Sequence, residues 1–203
     1  MRVGSGTRVA ECGERRADRA RYESLLEARG AQGHVRRVHG DLHLRNIVVL
    51  EGRPVRAMAP KQLARRIAYV PQFHRITFGY RVLDAVLMGR LPHKPFFFRY
   101  GGEDEQVAVR ALERLGIEHL TDRPYTEVSG GERQLVLIAR ALAQGADIFV
   151  MDEPVNGLDY GNQIRLLARI ADLSRSGYTF IKTTHFPDHA LWISDRVVML
   201  KEG

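Results

Sequence analysis

After residue 66 the chain alternates short apolar runs with longer amphipathic segments, and this rhythm restricts it to few folds. Ile67–Val70, Ile148–Met151, 179–183 and 196–200 read as strands rich in β-branched or bulky apolar residues. Helical spacing or helix signals fall between them, at 60–66, 82–90, 103–115, 129–144, 160–176 and 188–194. Strands separated by helices point to parallel pairing, because a parallel crossover needs a connection of helix length. The expected fold is therefore α/β, a parallel-sheet core with an inserted helical subdomain at about 76–145. Residues 92–102 read as a loop that carries Phe96, Phe97 and Phe98.

Upstream the pattern is thin. Residues 1–18 are rich in Gly, Arg and Glu and are expected to be poorly ordered. Residues 19–29 place Tyr22, Leu25 and Leu26 at helical spacing before Gly30. Residues 47–50 read as a strand, with Glu51-Gly52 as a turn and 47–55 as a hairpin. No apolar run approaches the roughly 20 residues of a membrane span, and the N-terminus does not resemble a secretion signal. Cys12 is the single cysteine, so no disulfide forms within the chain and a cytosolic setting is expected. The formal net charge is +7, yet Arg65, Arg110, Arg140 and Arg165 are dispersed among acids rather than drawn into a basic stripe. No nucleic-acid partner is expected.

The chemistry concentrates in two places. Ile148–Met151 delivers two adjacent carboxylates, Asp152 and Glu153, at a strand's C-terminal end, where ligands bind in open α/β sheets. One can hold Mg²⁺ and the next can orient or deprotonate a water. Upstream, Ser129 followed by Gly130, Gly131 and Glu132 marks a capped helix start whose amides can meet an anion.

Taken in order, Gln72 closing IAYVPQ, SGGERQ at 129–134, IFVMDEP at 148–154, NGLD at 156–159 and His185 in TTHFPDHA resemble the ATP-binding subunits of ABC transporters. The resemblance covers residues 51–203. RVLDAVLMGRLPH and LDYGNQIRLL are similar to the subgroup that imports iron–siderophore, haem and cobalamin. It implies an ATPase using ATP and Mg²⁺, with Glu153 as catalytic base and His185 as the switch histidine at the γ-phosphate. Asp152 and Gln72 match the magnesium site, and Gln72 also senses the attacking water. Ser129, Gly130, Gly131 and Glu132 belong to the signature that contacts ATP held by an opposite subunit, and Asp159 to the loop linking the two sites. The implied partners are a second ATPase subunit, arranged head to tail, and membrane permease subunits at the cytoplasmic face of the inner (plasma) membrane. Residues 76–100 match the region that receives the permease. For Phe96, Phe97 and Phe98, contact with that partner and burial inside the helical subdomain are both open. The cargo is not encoded in this subunit.

The family pattern also requires G-x-x-x-x-G-K-[ST] ahead of the glutamine strand, where amides and a lysine hold the phosphates. This sequence has no Gly-Lys pair, and its first lysine is Lys61. GSGT at 4–7 lacks both the spacing and the lysine. Instead VHGDLHLRNI at 38–47 resembles the catalytic loop of aminoglycoside-phosphotransferase-like kinases, over residues 19–55. Asp41 matches the base and Asn46 a magnesium ligand. No acidic residue lies between Glu51 and Asp84 to supply the second metal aspartate, and too few residues precede Val38 for a nucleotide-binding lobe. The reading is a fusion: 1–50 as a phosphotransferase-like fragment, partly disordered, and 51–203 as an ABC ATPase domain that also looks truncated at its C-terminus. The expected function is the ATPase subunit of an importer, inactive as an isolated chain. The alternatives are a small-molecule phosphotransferase fragment and an inactive subunit that lends its Ser129–Gly131 face to a complete partner. The expected stability is marginal, with the slowest amide exchange in the 148–151 strand and fast exchange before residue 45.

Overall fold

The computed structural model describes residues 9–12, 49–50, 53–72, 79–95 and 97–200. In chain order the elements are β1 (Val9–Cys12), β2 (Val49–Leu50), β3 (Arg53–Pro54), α1 (Pro60–Ala64), β4 (Ile67–Val70), α2 (Val82–Leu87), α3 (Gly102–Leu115), α4 (Gly130–Ala143), β5 (Ile148–Met151), α5 (Tyr160–Arg175), β6 (Thr179–Lys182), α6 (Pro187–Ile193) and β7 (Val197–Leu200). They fall into two compact units, one of Met58–Thr183 and one of Met1–Ala57 with Thr184–Gly203. The α/β fold with a parallel sheet agrees with the expectation from sequence.

In the larger unit, β4, β5 and β6 form a parallel sheet with β5 in the middle. Ile67 pairs with Ile148 and Val70 with Met151, while Ile148 pairs with Thr179 and Met151 with Lys182. All four β5 residues are buried, as a central strand covered on both faces requires. Phe149 anchors one face, its ring 5.5 Å from Tyr178 and 4.9 Å from Phe180.

The helical subdomain is tied to this sheet through the C-terminal end of α4. The last carbonyls of a helix lack intrahelical donors and need other partners. Arg90 Nη1 donates to the Ala143 carbonyl at 2.9 Å, and the His93 ring meets the Gln144 carbonyl at 2.8 Å. Gln144 Nε2 in turn donates to the carbonyls of Ala64 and Ile67, the latter at 3.0 Å, and so reaches the start of β4. The expected helix over 82–90 stops earlier, at Leu87, and continues as a 3-10 segment, Met88–His93. Gly89 lies against α4 so closely that a Cβ would stand 2.2 Å from the Arg140 carbonyl oxygen. Asp104, buried near the start of α3, pairs with Lys94 and with Arg90 (3.1 Å) and accepts the Gly101 amide at 3.1 Å.

The smaller unit contains a correction. Residues 1–18 were expected to carry no element, yet β1 pairs in parallel with β7, Val9 opposite Val197 and Cys12 opposite Leu200. Such a short strand has no local periodicity to reveal it, since it is held by hydrogen bonds to a strand far along the chain. The hairpin expected over 47–55 is present as β2 and β3, with Val49 opposite Pro54 and Leu50 opposite Arg53. The helix expected over 19–29, Asp41, Asn46 and Phe96 lie outside the described residues.

Two outcomes are expected for the helical subdomain. Gly89→Ala forces a methyl into a backbone carbonyl and lowers stability by about 2 kcal/mol in chemical denaturation. For Asp104, burial alone would raise the carboxyl, but hydrogen bonds from Lys94, the Gly101 amide and Arg90, with the Lys94 charge, outweigh it and hold it at about 2 against an ordinary 3.8. The unfolded chain therefore takes up this proton first as pH falls, and the stabilisation present above about pH 4 is lost towards pH 2. Thermal melts across that window should show Asp104→Asn losing this acid dependence, having already lost about 3 kcal/mol at neutral pH.

Candidate functional site

The hydrogen-bond ladder of the parallel sheet continues past the end of β5 and positions the residues beyond it. The Asp152 amide donates to the Val70 carbonyl and the Thr183 amide to the Met151 carbonyl, each at 3.1 Å. Asp152 and Thr183 thus emerge side by side at the C-terminal edge of the sheet. Thr183 Oγ1 donates to Asp152 Oδ1 at 2.7 Å and accepts from the Glu153 amide at 2.9 Å. Glu153 has φ 39°, a left-handed conformation that costs a non-glycine residue about 1–3 kcal/mol and persists only where surrounding contacts enforce it. Its side chain is also held: Oε2 accepts from Gln72 Nε2 and from Asn156 Nδ2, both at 3.1 Å. Two amide donors on one oxygen set the plane of the carboxylate, as a group that orients or deprotonates a water requires.

This edge suits Mg²⁺. Asp152 and Glu153 supply half-buried hard oxygen donors, and Gln72 lies beside them with its Nε2 on Glu153. Mg²⁺ takes one or two carboxylates and completes its shell with phosphate oxygens and water. Among the described residues no group of three or more His, Cys, Asp or Glu could hold a metal on its own.

A second group forms where α4 and α5 begin. Ser129 caps α4: its Oγ accepts from the Glu132 amide at 3.3 Å, and Glu132 Oε2 accepts from the Ser129 amide at 2.8 Å. Hydrogen bonding to the Ser129 side chain and backbone holds the Glu132 carboxyl below its usual range. Gly131 is buried, and a Cβ there would lie 3.1 Å from Asn162 Cγ. Asn162 belongs to the Asp159 cap of α5. Its amide donates to Asp159 Oδ1 at 2.9 Å and its Nδ2 to Asp159 Oδ2 at 2.6 Å, which lowers the Asp159 carboxyl. Gly130 approaches Leu158 Cδ2 in the same way, at 3.4 Å for a Cβ. The Ser129–Glu132 turn and Asp159 are therefore neighbours, with the positive ends of two helix dipoles together.

His185 lies in the other compact unit. It is exposed, with its ring centroid 4.1 Å from that of Phe186, whose amide donates to Thr184 Oγ1 at 3.1 Å. Of the two readings of the phenylalanine run, exposure holds for Phe97, at 89%, and for Phe98. Sequence reasoning did not single out Thr183, Asn156 or Asn162. The signal for Asn156 and Asn162 was their place beside Glu153 and Asp159, and for Thr183 a hydroxyl at a strand end.

The profile of the ABC transporter family matches residues 31–156. An uncharacterised ABC transporter ATP-binding protein of Haemophilus influenzae is 43% identical over 155 residues, 76% of this chain and 59% of that protein. The ferric enterobactin transport ATP-binding protein of Escherichia coli is 37% identical over 157 residues, 77% of this chain and 58% of that protein. A solved metal-chelate type ABC transporter in an inward-facing conformation superposes with TM-score 0.62 at 40% identity, over 66% of this chain and 54% of that one. The chain thus spans under three-fifths of the length of these relatives. Among the described residues no helix is long and apolar enough to cross a membrane.

The Ser129 cap carries a measurable share of stability. Ser129→Ala should cost about 1 kcal/mol in urea titrations, because the Glu132 amide loses its acceptor.

Proposed function

The chain belongs to the ABC transporter family, and from that premise we propose that it is an ATP-binding, ATP-hydrolysing subunit of an importer whose cargo is a metal chelate, of the iron–siderophore, haem or cobalamin kind. The observation that carries this reading is the Glu153 carboxylate, held by Gln72 and Asn156 beside Asp152 at the C-terminal edge of the sheet. In this proposal Glu153 takes the proton of a water aimed at the γ-phosphate, and Gln72 reports the state of that site by its hydrogen bond to the base. Asp152 is the magnesium ligand. Mg²⁺ bound with the triphosphate supplies neutralisation of charge on its β- and γ-oxygens. His185 contacts the γ-phosphate when the site is assembled.

The Ser129–Glu132 turn and Asp159 face a second ATPase subunit, where the two helix starts receive the phosphates of its nucleotide. In this proposal Phe97, Phe98 and Leu91, which are exposed, are the apolar contact for a membrane permease, and the subunit works at the cytoplasmic face of the membrane.

A second reading, in which the chain lends its signature face to a complete partner, uses the same cap of α4 and the same packing on Asn162. No Gly-Lys pair occurs in the 203 residues, and in this reading the lysine that holds the phosphates belongs to the complete partner. Loss of a single such donor costs about 2.7–4 kcal/mol of transition-state stabilisation.

Two measurements test this function. The 203-residue polypeptide by itself should show no ATP turnover above that of its Glu153→Gln variant; turnover that vanishes in the variant would overturn the expectation. Mixed with a complete homologous subunit, it should crosslink only with ATP, and Ser129→Arg should weaken the pairing at least tenfold. Crosslinking that is indifferent to ATP would remove the signature face from the proposal.

A further inference from the structure

Thr183 occupies an unusual position, with one hydroxyl serving both carboxylate residues. Its Oγ1 gives its proton to Asp152 Oδ1 at 2.7 Å and takes the Glu153 amide at 2.9 Å. Its own amide is locked to the Met151 carbonyl at 3.1 Å, so the side chain is presented from a fixed point of the ladder. The residue between these contacts, Glu153, is the one described non-glycine residue with positive φ. A left-handed residue is held only where its neighbours leave no cheaper arrangement. With its amide held on Thr183, an extended Glu153 would redirect the side chain that Gln72 and Asn156 now hold.

From this arrangement we infer that Thr183 is a positioning residue for the Asp152–Glu153 pair: it locks the left-handed turn at Glu153 and orients Asp152 towards its metal through Oδ1. The inference rests on the proposed role of Asp152 as magnesium ligand, while its backbone half stands on geometry alone. A hydroxyl is required, and a methyl of the same shape is not enough. Valine at position 183 keeps the strand but removes the Oγ1 acceptor of the Glu153 amide and the Oγ1 donor to Asp152 Oδ1. Serine restores both. Groups that orient a metal ligand in this way typically change metal affinity by about 10–100-fold when removed.

The experiment compares the full chain with Thr183→Val, Thr183→Ser and Asp152→Asn. Amide hydrogen exchange at Glu153 is read by NMR, and Mn²⁺, added together with ATP as the probe, is titrated by paramagnetic broadening of the amide signals of residues 150–153. Thr183→Val should speed exchange at Glu153 at least tenfold and weaken Mn²⁺ at least tenfold, while the Ile148–Met151 amides stay as protected as in the parent chain. Thr183→Ser should behave as the parent in both. If Val and Ser variants exchange and bind alike, or if Thr183→Val exposes the whole of Ile148–Met151, the inference is overturned and the residue is a packing element only. Broadening that survives Asp152→Asn counts instead against Asp152 as the metal ligand, and the Glu153 exchange rates then still decide the claim about Thr183.

Discussion

The parallel ladder through β5 governs the rest of this molecule. Because β5 is wholly apolar and buried between β4 and β6, its first charged side chains, Asp152 and Glu153, leave the sheet only where the strand ends. Gln72, Asp152 and Thr183 are the first polar residues past three neighbouring strands, and register brings them to one edge. The cluster is the consequence of three paired strands ending at the same level. Glu153 then adopts its left-handed turn where Thr183 supplies an acceptor for its amide and Gln72 and Asn156 supply donors to its carboxylate.

The helical subdomain is set against that sheet by polar contacts rather than by apolar area alone. The carbonyls at the end of α4 are capped from outside by Arg90 and His93, and Gln144 carries the connection to the start of β4. The same α4 begins with the Ser129 cap and presses Gly131 onto Asn162. One helix therefore joins the sheet, the inserted subdomain and the neighbourhood of Asp159.

Much of this was legible in the chain. Strands at 67–70 and 148–151 stood out because buried parallel strands are short, continuous and apolar, the strand read at 179–183 is present as Thr179–Lys182, and α4 stood out because Ser129 and Glu132 form a capping box around two glycines. The carboxylates were found because they come directly after the most apolar run. The early end of α2 at Leu87 was not visible, since it depends on how closely Gly89 approaches the Arg140 carbonyl. Nor was β1, whose four residues acquire an element only through β7 at the far end of the chain.

The sequence by itself determined which groups are present and at which ends of which elements they lie: period and capping are local properties, written within a few residues. It therefore settled the α/β class, the strand that carries Asp152 and Glu153, and the helix that Ser129 opens. Only the tertiary structure decided who meets whom. Gln72 reaches Glu153 across 81 positions of sequence and Thr183 reaches it across 30, through pairings whose register no local signal specifies. The left-handed Glu153 belongs to the same class of fact, because nothing in the identity of a glutamate favours positive φ, and the conformation exists only while a distant threonine and two distant or neighbouring amides hold it there.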